Sequence, residues 1–191
     1  TSPDEEYRKL SIQYLNDVTN RIRDLIDLIN PLSSTIQLVA NIGGFNRTGF
    51  LSNDEKLKRF DNLLFSIEKI NLENVELLPQ TMPPFPWHLG GRSHHNIFVN
   101  IDDAFKWFDK TGYKVCFDLS HSSMACEFFD YEFNDYVEKV SEISDYLHVS
   151  DASGLDQEGL PIGNGSIDFK YVQKIFSQKK MRYIPEIWQG H

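Results

Sequence analysis

Residues 115–121 read V-C-F-D-L-S-H, an apolar run that ends in an aspartate, with a histidine three residues later. The arrangement recurs downstream, where Y-L-H-V-S-D closes an apolar run at residues 146–151 and Y-I-P-E-I-W closes another at residues 183–188. Each run has the length and apolar content of a buried strand. Three strands that each end in acidic or imidazole side chains predict one shared site.

Composition indicates a single folded domain over residues 1–191. Hydrophobic residues make up 40% of the chain and aromatic residues 13%, enough for a sizeable core. The formal net charge of −9 disfavours nucleic-acid binding, since an acidic surface repels phosphates. There is no run of 18 apolar residues, so no membrane span is expected. Cys116 and Cys126 form no disulfide framework, which favours a cytoplasmic protein.

Helical and strand patterns alternate along the whole chain. Strands are predicted near residues 36–42, 75–80, 114–118, 146–150 and 183–187, and helices over residues 4–30, 53–70, 102–111, 131–145 and 168–178. Such alternation is typical of a parallel sheet with crossover helices on its outside. Asn30-Pro31 is expected to end the first helix, and the prolines and glycines of residues 81–95 and 152–166 predict irregular loops.

The predicted fold class is α/β, a (β/α)₈ TIM barrel that is incomplete in this chain. About five strands are predicted in 191 residues, whereas a complete barrel has eight strands and needs about 250 residues. The chain would then supply the central and C-terminal part, without the first strands and the last helix. An open doubly wound sheet is the alternative, although no G-x-G-x-x-G turn follows any strand. An open barrel edge predicts self-association, as a homo-oligomer, or a longer chain.

Polar residues cluster where the predicted strands end, and all six histidines are predicted in strand ends or loops and none on a helix face. The strand-end residues are Gln80, Asp118, His148, Asp151 and Glu186, and the remaining histidines are His88, His94, His95, His121 and His191. Ligands sit at the carboxyl ends of parallel strands. Carboxylates and imidazoles converging there predict a divalent cation, with Mn²⁺ or Zn²⁺ favoured over Mg²⁺ or Co²⁺. Taken singly, Asp118 could instead cap a helix and His148 could be a core histidine.

Four segments together resemble the xylose-isomerase-like TIM barrels. They are D-L-S-H at 118–121, L-H-V-S-D at 147–151, G-N-G-S-I-D-F at 163–169 and I-P-E-I-W at 184–188. That superfamily groups sugar and sugar-phosphate isomerases and epimerases with apurinic endonucleases. The resemblance implies a metal held by residue 80, Asp118, His148 and Glu186, and it implies that His121 faces the substrate. It also implies that Gly163, Gly165 and Asp168 belong to a loop that closes over the site.

One position departs from the family pattern. Gln80 stands where the resembling proteins usually carry a glutamate. An amide oxygen can ligate a metal, but it has no charge and cannot move a proton. We therefore expect Glu186 to be the catalytic base, with His121 or His88 as the second acid–base group. Glu76 lies on the same strand face but deeper in the barrel, and it ranks below Gln80 as a ligand.

Substrate contacts are expected from the loops around these strand ends. His88 and Arg92 could grip an anionic or hydroxylated sugar, Trp188 offers a stacking face, and Asp151 lies beside the predicted ligands. The favoured function is a metal-dependent isomerase or epimerase acting on a small-molecule sugar through an enediolate. A lyase would share the opening step. A sugar-binding barrel that lost its base with Gln80 is the alternative, and a phosphodiester hydrolase fits the acidic chain less well.

Overall fold

The computed structural model describes residues 1–29, 35–88 and 91–188. The helices are α1 (Glu5–Ile29), α2 (Asn53–Ile67), α3 (Ile101–Thr111), α4 (Leu119–Phe129), α5 (Phe133–Val140) and α6 (Phe169–Phe176). The strands are β1 (Ile36–Ala40), β2 (Val75–Pro79), β3 (Trp87–His88), β4 (Gly91–Arg92), β5 (Val115–Asp118), β6 (Ser144–Val149), β7 (Asp151–Ser153), β8 (Gln157–Leu160) and β9 (Arg182–Pro185).

Five parallel strands follow one another in chain order, as predicted. β1 pairs with β2, β5 with β6, and β6 with β9, all in parallel. A parallel bridge between Gln80 and Cys116 links β2 to β5. The outer edges of β1 and β9 have no strand partner within the described residues. The sheet is therefore an open part of a barrel, with the carboxyl ends of its strands on one side.

The crossover helices cover the sheet because their apolar faces are buried against it. The core includes the fully buried side chains of Phe60 on α2, Trp107 on α3, Phe117 on β5 and Val137 on α5. Ser52 and Glu55 form a capping box at the start of α2. Within the described residues, no helix is long and apolar enough to cross a membrane.

Helix α4 is a departure from the predicted fold. It begins directly after β5, and Asp118 caps it by accepting a 2.9 Å hydrogen bond from the backbone N–H of His121. Most of its residues are buried, so its sequence has no amphipathic period to reveal it. The expectation that no histidine lies on a helix was wrong, because His121 occupies the first turn of α4.

Smaller differences concern the loops and one helix end. The predicted helix over residues 131–145 is shorter, since α5 ends at Val140 and β6 begins at Ser144. Both segments expected to be irregular contain an antiparallel hairpin, β3 with β4 and β7 with β8. The predicted end of the first helix at Asn30-Pro31 lies outside the described residues.

Candidate metal centre and active-site cleft

Three predicted ligands meet at the carboxyl ends of the last three parallel strands. Asp118 and His148 are register partners on β5 and β6, and Glu186 follows β9 with its backbone N–H bonded to the Val149 carbonyl at 3.0 Å. One ligand atom from each of Asp118, His148 and Glu186 lies within 4.8 Å of the other two. Asp118 is 1% exposed, whereas the Glu186 side chain is 49% exposed. The Asp118 carboxylate of the cluster is therefore buried, whereas the Glu186 carboxylate is accessible.

The contacts within this cluster centre on His148. Its Nδ1 atom lies 2.7 Å from Glu186 Oε2 and 3.6 Å from Asp118 Oδ2. Gln80 Nε2 lies 3.0 Å from the same Nδ1 atom and donates a 2.8 Å hydrogen bond to Asp118 Oδ2. Gln80 comes directly after β2, so four neighbouring strands contribute to the cluster.

Hydrogen bonds alone do not satisfy all four side chains of Gln80, Asp118, His148 and Glu186. A nitrogen of His148 that donates its hydrogen to Glu186 cannot also accept one from the Gln80 amide. Turning the amide would give His148 an acceptor, but it would set the Gln80 oxygen against Asp118 Oδ2. A divalent cation resolves the conflict, since carboxylate, imidazole and amide groups can all direct lone pairs at it. The donor set therefore fits a metal ion such as Mn²⁺ or Zn²⁺.

The protonation of His148 also indicates that this cluster of side chains favours a positive charge. Burial alone would lower the pKa of its imidazole, but its polar contacts with Asp118, Cys116 and Glu186 raise the pKa to about 12. Burial likewise opposes ionisation of Asp118, but nearby His121 and hydrogen bonds hold the pKa of that carboxyl below its usual range. Without a metal, a proton on His148 supplies the positive charge between the two carboxylates.

His121 lies between the cluster and the neighbouring cleft. Its Nδ1 atom is 3.0 Å from the Thr81 carbonyl oxygen and 3.3 Å from Asp118 Oδ2. Its Nε2 atom is 3.5 Å from Glu158 Oε2. A hydrogen on Nδ1 therefore points at oxygen acceptors, and Nε2 is left to exchange a proton with the cleft.

A cleft of about 230 Å³ adjoins the cluster. Its lining includes Gln80, Asp118, His121, Glu186 and Trp188, all named from the sequence, together with Asn41, Met82, Pro83, Pro86, Ser120, Ser150, Glu158 and Gly159. Trp188 is held at the rim, where its backbone N–H bonds to the Gly159 carbonyl at 2.9 Å. The volume suits a small ligand, and Asn41, Ser120 and Ser150 offer polar groups to it.

Asp151 has a different role from the predicted substrate contact. It is fully buried, and its two carboxylate oxygens accept hydrogen bonds from the backbone N–H groups of Ala152, Gly163, Gly165 and Ile167. A Cβ atom on Gly165 would lie 2.4 Å from Asp151 Oδ1, so only glycine fits there. Asp151 therefore anchors the glycine-rich loop beside the cleft.

The structure gives less direct support to the other contacts predicted from the sequence. Arg92 is exposed and stacks its guanidinium over the Phe85 ring at 4.5 Å, and it is not among the residues that line the cleft. The side chain of His88 lies outside the described part of the structure, as does His191. Asp168 caps α6 by accepting hydrogen bonds from Lys170 and Tyr171. Glu76 accepts a hydrogen bond from Gln37 and is not among the cleft-lining residues.

Sequence reasoning missed four polar residues of the cleft, one of which, Ser120, lies in the first turn of α4. Asn41 directly follows β1, so the strand-end rule that selected Asp118 and Glu186 would also have selected it. Ser150 directly follows β6 and is found by the same rule. Glu158 has no such signal, because it comes from the β7–β8 hairpin that was expected to be an irregular loop.

The chain belongs to the family of xylose isomerase-like TIM barrels, whose model matches residues 1–190. This confirms the resemblance and the fold class inferred from the strand-end motifs. No curated protein is significantly similar to the chain in sequence.

Three solved structures share the fold over 97% of this chain. A D-tagatose 3-epimerase-like protein has a TM-score of 0.66 at 19% identity, with 65% of its own chain covered. An L-ribulose 3-epimerase has a TM-score of 0.66 at 14% identity and 57% coverage. A D-allulose 3-epimerase from Methylomonas sp., in complex with D-allulose, has a TM-score of 0.62 at 12% identity and 58% coverage. The chain thus spans less than two thirds of each of these proteins.

Proposed function

We propose that the protein is a divalent-metal-dependent epimerase or isomerase of a ketose sugar or a close derivative. The observation that carries the proposal is the convergence of Asp118, His148 and Glu186 beside a cleft of about 230 Å³. The family membership and the likeness to three sugar 3-epimerases support a sugar as the small-molecule substrate. At below 25% identity, those structures guide the choice of substrates to test.

Asp118, His148 and Glu186 would hold the metal, and Gln80 would join them through its amide oxygen after a half-turn of the amide. A bound divalent cation supplies Lewis-acid stabilisation to the negative charge of an enediolate. The half-exposed carboxylate of Glu186 would take the proton from the carbon next to the sugar carbonyl. His121, with Nδ1 against the Thr81 carbonyl, would hold or move a proton at Nε2.

The experiment is an epimerisation assay with D-tagatose, L-ribulose and D-allulose, run with added Mn²⁺ or Zn²⁺ and again after chelation. We expect inversion at one carbon of at least one sugar and loss of activity without metal. Glu186→Gln should abolish turnover and weaken metal binding, because it removes both a charged ligand and the base. Glu142→Gln, at an exposed position, is the matched control. Normal metal content and normal turnover in Glu186→Gln would overturn the assignment.

If the parent protein holds stoichiometric metal but converts none of the three sugars, the sugar-binding alternative gains support. That alternative follows from Gln80, which cannot supply the charge or the proton transfer of a glutamate. Isothermal titration of the same sugars into the metal-loaded protein would then measure binding without turnover.

A further inference from the structure

The proposed reaction needs a second acid–base group, and Gln80 cannot be that group. Inverting a carbon requires a proton to leave one face and another to arrive at the opposite face. Glu158 is a carboxylate in the same cleft that no strand-end motif revealed. Its side chain is 15% exposed, and its Oε2 atom is buried without a hydrogen-bond partner in the described part of the chain.

A buried carboxylate oxygen without a partner is costly unless a ligand or a proton satisfies it. The Nε2 atom of the His121 imidazole lies 3.5 Å from Glu158 Oε2. That separation is an ion-pair distance, but it does not form a hydrogen bond. Glu158 is therefore beside the imidazole of His121, while one of its oxygens has no hydrogen-bond partner among the described residues.

The backbone next to Glu158 is held firmly in place. The Gly159 N–H donates to Ser120 Oγ at 3.1 Å, and the Gly159 carbonyl accepts from the Trp188 N–H at 2.9 Å. A Cβ atom on Gly159 would lie 2.3 Å from Trp188 Cδ1, so the tryptophan ring packs directly on this glycine. Strand β8 is thus fixed to α4 on one side and to the segment after β9 on the other.

The environment also favours the protonated form of Glu158. Burial raises the pKa of its carboxyl group, and the negative charges of Asp118 and Glu186 raise it further against the opposing effect of His121. A raised pKa suits a carboxyl group to act as an acid.

We propose that Glu158, paired with His121, is the second acid–base group of this enzyme and takes the part that residue 80 cannot play. The inference rests on the proposed function. Glu186 removes the proton from the carbon next to the carbonyl, and the C–H electrons form the enediolate. Glu158 then gives its proton to the opposite face of that carbon as the carbonyl re-forms. Glu186 ends protonated and Glu158 ends ionised, and proton exchange with water restores both groups.

The test compares Glu158→Gln with the parent protein in D₂O, with whichever of the three ketoses the parent converts. Epimerisation should fall at least about a hundredfold, the lower range for loss of an acid–base group. Metal content should stay unchanged, because Glu158 is not one of the ligands. Solvent deuterium should still enter one epimer at the reacting carbon without inversion, since Glu186 can still remove and return a proton on its own face.

The matched control is Asp156→Asn, which removes one negative charge from the exposed turn of the same hairpin. An epimerisation rate in Glu158→Gln equal to that of Asp156→Asn would overturn the inference and leave the proposed function intact. Equal deuterium entry into both epimers would also overturn it. No conversion or exchange of any ketose by the parent would overturn the proposed function itself, and the inference with it.

If Glu158→Gln does not fold, as judged by circular dichroism, Glu158→Asp decides the question. It keeps the carboxyl group and withdraws it by one methylene. A rate more than tenfold below that of the parent, at unchanged metal content, supports the inference. A rate equal to that of the parent overturns it.

Discussion

At the scale of single residues, Gln80 sets the charge of the candidate metal centre. Its amide lies 2.8 Å from Asp118 Oδ2 and 3.0 Å from His148 Nδ1, within the cluster itself. A glutamate in this place would bring a third carboxylate beside Asp118 and Glu186. The natural glutamine therefore lowers the repulsion in the metal-free protein and weakens the attraction for a cation.

Gln80→Glu should tighten metal binding by at least about tenfold. Two unit charges 4 Å apart interact by about 4 kcal/mol at an effective dielectric constant near 20, and desolvation offsets part of that. The metal-free variant should be less stable than the parent, because like charges then face one another. Competition with a chelator measures the affinity. Gln157→Glu, on the exposed part of β8, is the control, and equal affinities in both variants would contradict the prediction.

The proton on His148 predicts a pH dependence of the metal-free protein. The pKa of His148 is raised to about 12 in the folded state, against an ordinary value of 6.5. The folded state therefore binds more protons than the unfolded state between these values, and the free energy of unfolding should fall as pH rises through that window. The full stabilisation is present below about pH 6.5. Asp118 does not affect this window, because its pKa is shifted downward.

Urea denaturation at pH 7 and pH 9, in the presence of a chelator, measures this slope. His148→Asn should lose most of the pH dependence that the parent shows. Slopes that are identical in the two proteins would show that His148 is not protonated in the folded state. With metal added, the parent should release about one proton per ion bound, since a ligating imidazole must be neutral.

At the scale of elements, the glycine-rich loop after β8 depends on Asp151. Its carboxylate accepts four backbone N–H groups that would otherwise be buried without partners. Asp151→Asn should destabilise the protein by about 2–3 kcal/mol, because the amide nitrogen meets donors where an acceptor is required. Chemical denaturation checks this, with the exposed Asp156→Asn as the control. A loss below about 0.5 kcal/mol would contradict the anchoring role.

Strand ends were predictable from the sequence because apolar runs stop where a polar residue must face the barrel mouth. This rule found Asp118, His148 and Glu186, and it would have found Asn41 and Ser150 if applied to every strand. It failed for α4, whose burial on several sides removes the amphipathic pattern. It also assigned Asp151 to the substrate, since a strand-end position does not reveal which way a carboxylate points.

Residues that reach the site from hairpins could not be predicted from the sequence. Glu158 belongs to β8, which pairs with β7 through only a short antiparallel register. Its place beside His121 depends on contacts of Gly159 with Ser120 and Trp188, each more than 25 residues away in the chain. Such long-range contacts leave no periodic signal, so the second candidate acid–base group emerged only from the fold.

At the scale of the whole molecule, the open sheet keeps the curvature of a barrel. Gln37 on β1 donates hydrogen bonds to Asp145 on β6 and Glu76 on β2, and it accepts one from Arg182 on β9 at 2.6 Å. Side chains from the first and last parallel strands therefore meet, although these two strands are not paired. The curvature brings the strand ends together at the candidate metal centre even though the barrel is not closed.

The same openness exposes apolar surface on the first helix and strand. A groove of about 800 Å³ runs between α1 and β1 and includes Leu10, Tyr14, Leu38 and Ile42 in its lining. Leu10 is 62% exposed and Tyr14 is 69% exposed. Exposed apolar grooves and unpaired strand edges both favour association. Residues 1–191 expressed alone should therefore self-associate at micromolar concentrations.

Light scattering coupled to size exclusion, over a hundredfold range of concentration, measures that association. The double variant Leu10→Lys/Tyr14→Lys should shift the protein toward monomer, because two charges in the groove must remain hydrated. Leu57→Lys, on α2 and outside the groove, is the control and should associate like the parent. A parent that stays monomeric at every concentration would contradict the prediction. Association unchanged in the double variant would instead place the contact at the β9 edge, where Tyr183 and Ile184 are exposed.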